Sequence, residues 1–233
     1  MSTLNPITVW VHPHGPNPFK VLIVLEELGL AYDKVTLLSF THVFVNGKLI
    51  EALEITIENP KEASFLALNP NGRLPTIKDP NNSDLILWES GAIVEYIVDT
   101  YDKDNKLTLP GNADQWHLKQ YLHFQMSGQG PYFGQAVWFH KSHHEDLPSA
   151  KTRYDEQIMR VFDVLNTILE GRHYLVGEKL TYADLIFIPW NIVVKNYINE
   201  VWESHSVEEN YPNFVAWHDR LMARPSVKRA YGA

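Results

Sequence analysis

Residues 7–29 read ITVWVHPHGPNPFKVLIVLEELG. The first five, Ile7-Thr8-Val9-Trp10-Val11, are mostly branched and aromatic, as a short β-strand requires. From Phe19 through Leu28 the apolar residues, closed by Gly29, predict a helix. Asn17-Pro18 reads as the helix start, with Asn17 capping free N–H groups and Pro18 at the first helical position. The turn between, residues 12–17, holds two histidines, two prolines, a glycine and an asparagine, and no serine, tyrosine or cysteine. A helix N-terminus presents unpaired N–H donors and about half a positive charge, so it attracts an anion. Were that anion a thiolate, a thiol pKa of about 8.5 would move toward neutrality.

Working outward, strand and helix patterns alternate: strand 32–38, a helical stretch 61–68, strands 74–78 and 84–88, then helix 90–101. Alternation of this kind predicts an α/β unit containing a βαβ crossover. KDPNNSD, 78–84, carries the Pro, Asn and Asp of a hairpin turn. DKDNKLTLPGNAD, 102–114, reads as a polar linker. Beyond it the patterns are helical at 114–127, 149–170, 181–195 and 212–223. The expected fold class is α/β plus all-α: a first domain over 1–102, a linker over 103–113 and a helical domain over 114–233. Residues 41–59, THVFVNGKLIEALEITIEN, fit neither scheme and read as an insertion, with VNGK a hairpin turn between two short strands.

Bulk properties narrow the function. At 233 residues, with 45% hydrophobic and 21% charged residues, the chain can bury a sizeable core. A net charge of -8 argues against a dedicated nucleic-acid binder, which needs surplus Lys and Arg. No apolar run approaches the roughly 18 residues of a membrane span. MSTLNPITVW lacks the basic start and apolar core of a signal peptide. With zero cysteines there is no disulfide, no zinc thiolate site and no cysteine nucleophile. A cytoplasmic protein is the expectation.

Four further stretches stand out, two of them structural in reading. In WESGAIVEYI, 88–97, Ser90 reads as an N-cap, and Glu89 at a strand end can pair with a ligand's ammonium group. In NPNGRLP, 69–75, Pro75 stands where a strand should begin, which suits either a strand's first residue or a cis bond after Leu74. In LTYADLIFIPW, 180–190, Thr181 and Asp184 form a capping-box variant, with Leu180 and Leu185 spaced as its hydrophobic staple. In FHKSHHED, His140 precedes His143 and His144 at helical spacing, but a solvated helix end is the preferred reading and no metal is expected. The aromatic residues Trp116, Tyr121, Phe124, Tyr132, Phe133, Trp138 and Phe139 suit a core, although SGQGPYFG, 127–134, breaks the helix and lets some of them line a cleft.

Taken in order and spacing, HGPNPFKVLIVLEELGL, NPNGRLP, WESGAIVEYI and YLVGEKLTYADL resemble a cytosolic glutathione S-transferase over nearly the whole chain apart from 41–59. The GPN turn, FQMSGQGPYFGQA and FIPWN resemble the fungal branch related to the yeast nitrogen-catabolite regulator. The resemblance implies a thioredoxin-like first domain, an all-helical second domain, a homodimer and glutathione as co-substrate. It also implies that the opening turn holds the sulfur of glutathione. Asn17 stands where this branch places its catalytic residue, and its N–H₂ can donate to that sulfur. Glu89 and Ser90 are then implied to bind the γ-glutamyl end. The backbone of Leu74, ahead of a cis Pro75, is implied to pair with the cysteinyl part, and Arg73 to face the ligand. Val11 stands where close relatives can carry a serine, and the insertion leaves Lys61 as the candidate for the glycine end. A small hydrophobic electrophile is expected against Phe19, Phe124, Gln129, Phe133 and Trp138.

The activity implied is conjugation of glutathione to apolar electrophiles, in detoxification or in making a fungal metabolite. Two alternatives stand beside it: a glutathione-dependent peroxidase, reductase or isomerase, and a non-catalytic regulatory protein. The yeast regulator carries a long Asn-rich N-terminal tail, whereas this chain enters its first strand near Ile7, which counts against the regulatory reading.

Overall fold

The computed structural model describes residues 4–36, 44–45, 48–49 and 60–232. Strand β1 (Ile7–Val11), helix α1 (Pro16–Leu28) and β2 (Tyr32–Thr36) form the βαβ unit, with β1 and β2 parallel and Ile7 opposite Tyr32. Two residue pairs of the 41–59 stretch, β3 (Phe44–Val45) and β4 (Lys48–Leu49), are antiparallel neighbours, as a hairpin around VNGK predicts. The rest of that stretch lies outside the described residues. Then come α2 (Ala63–Leu68), β5 (Thr76–Asp79), β6 (Leu85–Trp88) and α3 (Ser90–Tyr101). The sheet order is β2-β1-β5-β6, with β5 antiparallel to both of its neighbours. Helices α1 and α3 pack together in the main core, whereas Phe65 of α2 packs with Trp10, Val35 and Leu74 in a separate cluster.

This is the thioredoxin-like domain, and everything after α3 is helical: α4 (Asn112–Phe124), α5 (Gly130–Lys141), α6 (Pro148–Ile168), α7 (Tyr182–Leu185), α8 (Ile188–Tyr197), α9 (Asn199–Ser204), α10 (Val207–Asn210), α11 (Pro212–Met222) and α12 (Pro225–Ala230). Among the described residues no helix is long and apolar enough to cross a membrane.

Helix α1 is the hinge of the arrangement. Val21, Leu22, Ile23, Val24 and Leu25 are each at most 1% exposed, because α3 covers one side and α8 and α12 the other. Its end is locked to the helical domain by Glu27, whose carboxylate accepts from Arg224 at 2.6 and 3.1 Å and from Ser226. Burial alone would raise the Glu27 pKa, but these hydrogen bonds and the Arg224 charge hold it below the ordinary carboxylate value. In the helical domain the capping box forms as expected, and the Asp184 carboxylate also accepts from Leu175 N and Trp217 Nε1 at 2.9 and 3.0 Å.

Several local expectations are corrected. Helix α1 begins at Pro16, with Gly15 as its N-cap, so Asn17 sits inside the first turn and caps nothing. Pro16, with its fixed φ, already fits the first position and starts the helix two residues early. Ser90 is likewise the first helical residue of α3, and Glu89 occupies the cap with φ 72° and ψ 114°. Residues 127–134 do not break the helix. A π-helical turn over Gln125–Gln129 joins α4 to α5, held by buried side chains: Gln125 Nε2 donates to Gln129 Oε1 at 3.0 Å, and Gln129 Nε2 to Asn191 Oδ1 at 2.7 Å. The pattern at 181–195 is two helices, since Pro189 sits in the first turn of a new one.

Candidate functional site

The first turn of α1 is short of backbone donors. Of the four N–H groups a helix leaves unpaired, Pro16 and Pro18 have none, and Gly15 N donates to His12 O at 3.1 Å. Only Asn17 keeps its N–H, so the side-chain amide of Asn17 becomes the other donor at this helix end. That amide is oriented from the helical domain. Trp190 Nε1 donates to Asn17 Oδ1 at 3.0 Å. An indole N–H can only donate, so the carbonyl oxygen faces Trp190 and the N–H₂ is turned away from it. Two glycines admit the indole: a Cβ at Gly134 would lie 3.1 Å from Trp190 Cη2, and one at Gly130 3.3 Å from Nε1.

Asn17 lines a polar cavity of about 60 Å³ with Arg73, Leu74 and Pro75 from the turn before β5, and Glu89 and Ser90 from the start of α3. The Leu74–Pro75 bond is cis. Six of the residues singled out from the sequence therefore meet around one space. Asn69 and Asn71 complete the lining. Asn69 is 1% exposed and shapes the turn: its Nδ2 donates to Arg73 O at 2.7 Å and Thr76 Oγ1 at 3.0 Å, and its Oδ1 accepts from Asn71 N at 2.9 Å. Asn71 Nδ2 reaches Glu89 Oε1 at 3.4 Å. Lys61 does not line this cavity, but braces the same turn by donating to Gly72 O at 2.9 Å. Glu89 holds its place at a positive φ that L-residues rarely adopt, a strain on the order of 1–3 kcal/mol.

A second cavity, of about 420 Å³, shares Asn17, Arg73 and Glu89 with the first. Its far wall is α5, which presents Pro131, Gly134, Gln135 and Trp138, while Trp190 and Met126 close the back. Trp138 is 51% exposed, an aromatic face left to solvent at the mouth. Of the other residues expected here, Phe133 is fully buried against Phe162, and Gln129 is fully buried in the π-turn network. Neither lines the cavity, because both point inward from the helix. Phe124 is half-buried against Phe187. Phe19 stacks on Tyr231, ring centroids 4.2 Å apart, and borders a separate apolar pocket of about 170 Å³ with Pro189 and Tyr197.

The sequence reading missed Lys20, Asn69, Met126 and Trp190. Lys20 is 1% exposed and lines the larger cavity. Its signal was a single charge inside the apolar run FKVLIVL. Burial drives its pKa from 10.5 down to about 7, with the Glu89 charge pulling the other way. The histidine cluster is not a wholly solvated helix end, since His140 Nε2 lies 2.9 Å from Asp155 Oδ1 with its side chain largely covered; among the described residues no group of three His, Cys, Asp or Glu could hold a metal ion.

Residues 14–100 match the family described as glutathione S-transferase, N-terminal domain, and residues 131–225 the glutathione S-transferase, C-terminal domain. The chain is 43% identical to the glutathione S-transferase-like protein gedE of Aspergillus terreus, covering 100% of this chain and 97% of that protein. Its structure resembles the glutathione transferase URE2P8 from Phanerochaete chrysosporium, solved with oxidized glutathione, with a TM-score of 0.84 and 38% identity over 99% of this chain and 96% of that one. It also resembles Ure2p5 from the same fungus, cocrystallized with 1-(S-glutathionyl)-2,4-dinitrobenzene, with a TM-score of 0.80 and 36% identity over 98% and 94% of the two chains.

Proposed function

We propose that this chain, which belongs to the glutathione S-transferase family, binds glutathione in the polar cavity beside Asn17 and conjugates its sulfur to apolar electrophiles. The observation that carries the reading is the meeting of Asn17, Leu74, Glu89 and Ser90 around one polar space that opens beside a larger one. Leu74 offers its backbone to the cysteinyl part. Glu89 and Ser90 take the γ-glutamyl end, and Arg73 faces the ligand. Lys61 serves the glycine end by fixing the turn rather than by lining the cavity.

The sulfur then lies by the start of α1. The thiol loses its proton to solvent, and the thiolate accepts a hydrogen bond from the Asn17 N–H₂ that Trp190 leaves available. In a chlorinated aromatic the sulfur's electron pair forms the new C–S bond and chloride departs with the electron pair of the bond that breaks. The protein supplies proximity and charge stabilisation, and no covalent enzyme intermediate forms. The electrophile occupies the larger cavity, against Trp138 and Gln135. Two such chains form a homodimer in the cytoplasm.

A single assay separates this activity from its alternatives. Purified protein is offered glutathione with chlorinated aromatics, with peroxides and with disulfides. Saturable conjugation of the aromatics supports the reading. Turnover of peroxides or disulfides alone would assign the thiolate to redox chemistry instead, and no turnover with measurable glutathione binding would assign a non-catalytic role.

A further inference from the structure

Lys20 lies one helical turn after Asn17 on α1 and is fully buried, yet it lines the larger cavity. Among the described residues its ammonium has two neighbours within hydrogen-bonding reach, Ser90 Oγ and Met126 Sδ, each at 3.4 Å. Neither carries a charge, and Lys20 forms no ion pair among the described residues. Glu89 acts on it only through space. Burying an ammonium without a counter-charge is costly, and the two remedies are an anion or loss of the proton.

The surroundings specify which anion. Ser90 is the first residue of the 12-residue helix α3, so the ammonium sits beside a hydroxyl and the positive end of a helix. Met126 seals this corner: a Cβ on Gly91 would lie only 3.1 Å from Met126 Cγ. Lys20 lines the larger cavity and Ser90 the polar one, so the ammonium lies where the two adjoin, and a cation beside a hydroxyl and a helix N-terminus suits a carboxylate reaching over from the polar cavity. Glu89, on the same lip, suits an ammonium. The two together match the head of an α-amino acid, which carries both charges on one carbon.

Resting on the glutathione reading above, we infer that Lys20 is the buried cation that receives the α-carboxylate of the γ-glutamyl end, and so selects ligands with an amino-acid head. The residue thereby has two states. In the empty protein burial lowers its pKa to about 7. A bound carboxylate restores the charge, so binding takes up a proton when the pH is above that value. The charged groups on the cavity lining around it are Glu89, which favours the ammonium, and Arg73, which does not.

The test uses S-methylglutathione, which has no thiol proton of its own, and the S-methylated 4-aminobutyryl analogue, which lacks only the α-carboxylate. Calorimetric titrations are run on wild type, Lys20→Met and Lys20→Gln from pH 6 to 8.5. A lost charge-assisted contact predicts roughly tenfold or more weaker binding of S-methylglutathione in both variants. Wild type should lose affinity as pH rises above 7 while the variants stay flat. The decarboxylated analogue should bind wild type and variants alike, and the empty variants should melt no lower than wild type. Unchanged S-methylglutathione affinity, or equal losses for both ligands, overturns the assignment of Lys20 alone. No binding of glutathione to wild type overturns the glutathione reading and this inference with it.

Discussion

Trp190 of the helical domain donates a hydrogen bond to Asn17 of the thioredoxin-like domain at 3.0 Å, across 173 residues of sequence. The contact fixes which end of the Asn17 amide is presented to a ligand. Trp190→Phe keeps the bulk between Gly130 and Gly134 and removes the donor. Losing one such bond is worth about 0.5–1.5 kcal/mol, so conjugation should slow by about two- to tenfold. Steady-state kinetics should show the fall in turnover rather than in glutathione affinity. An unchanged turnover would mean that the amide needs no orientation.

Asn17→Ala should raise the pKa of the bound thiol by about one to two units, because a donor to a charged acceptor is worth about 1.5–3 kcal/mol. Since Asn17 is no cap, the stability cost should be confined to the lost Trp190 hydrogen bond, about 0.5–1.5 kcal/mol, and Asn17→Ser should recover part of the shift by offering a hydroxyl. The pH dependence of turnover in the three proteins checks this. A common pKa in all three would leave the sulfur to the helix end and the nearby histidines.

Glu89→Gly should separate stability from binding. Glycine lacks the Cβ that makes a positive φ costly, so the variant should be no less stable than wild type. It also loses the carboxylate offered to the ligand ammonium, so glutathione should bind at least tenfold more weakly, at 1.36 kcal/mol per tenfold. Thermal melts and titration calorimetry measure the two effects independently. Wild-type affinity in Glu89→Gly would remove Glu89 from the site.

Arg224→Ala should destabilise the chain by about 3 kcal/mol, since Glu27 is 8% exposed and would keep only the Ser226 hydroxyl and the charge of Lys106. Urea unfolding followed by tryptophan fluorescence measures the loss. Adding Glu27→Gln should return part of it, because the stranded charge is then gone. No recovery in the double variant would place the cost in packing instead.

His218 makes an acid-side prediction. Burial lowers its pKa from 6.5 to about 4, with Asp219 pulling up and Lys195 down, and its Nδ1 is buried without a partner among the described residues. The unfolded chain takes a proton at pH values where the folded one does not. Its contribution is therefore complete above about 6.5 and lost as pH falls toward 4, by about 3 kcal/mol at 1.36 kcal/mol per unit. His218→Phe should unfold with a shallower pH dependence across that window. Parallel curves would exclude His218 as the source.

The sequence exposed what local chemistry decides. The β1-α1-β2 unit, the amphipathic α6 and the Thr181–Asp184 box all follow from spacing within a few residues. Asn17, Leu74, Glu89 and Ser90 stood out because each marks a strand or helix end, whereas the ligand roles proposed for them come from the family resemblance. Helix starts were misplaced by one or two residues where proline and capping signals overlap, as at Pro16-Asn17-Pro18. Lys20 and Trp190 were not legible, because their roles arise from contacts across 70 and 173 residues. The uninterrupted passage at 125–129 was hidden too, since glycines there read as a break until Asn191 and Gln129 are seen to meet.

That π-helical turn keeps the phase of everything downstream. Each residue of an α-helix rotates the chain by about 100°, and a π turn lodges one residue more than the α repeat holds. Because the surplus residue is absorbed inside the turn, α4 and α5 keep the phase of one continuous helix. Deleting a single residue between 125 and 129 would let the segment relax into plain α-helix with α5 still facing the cavity. A deletion inside α5 ahead of Gln135 would instead turn Gln135 and Trp138 off it by that angle, and should be tolerated far less.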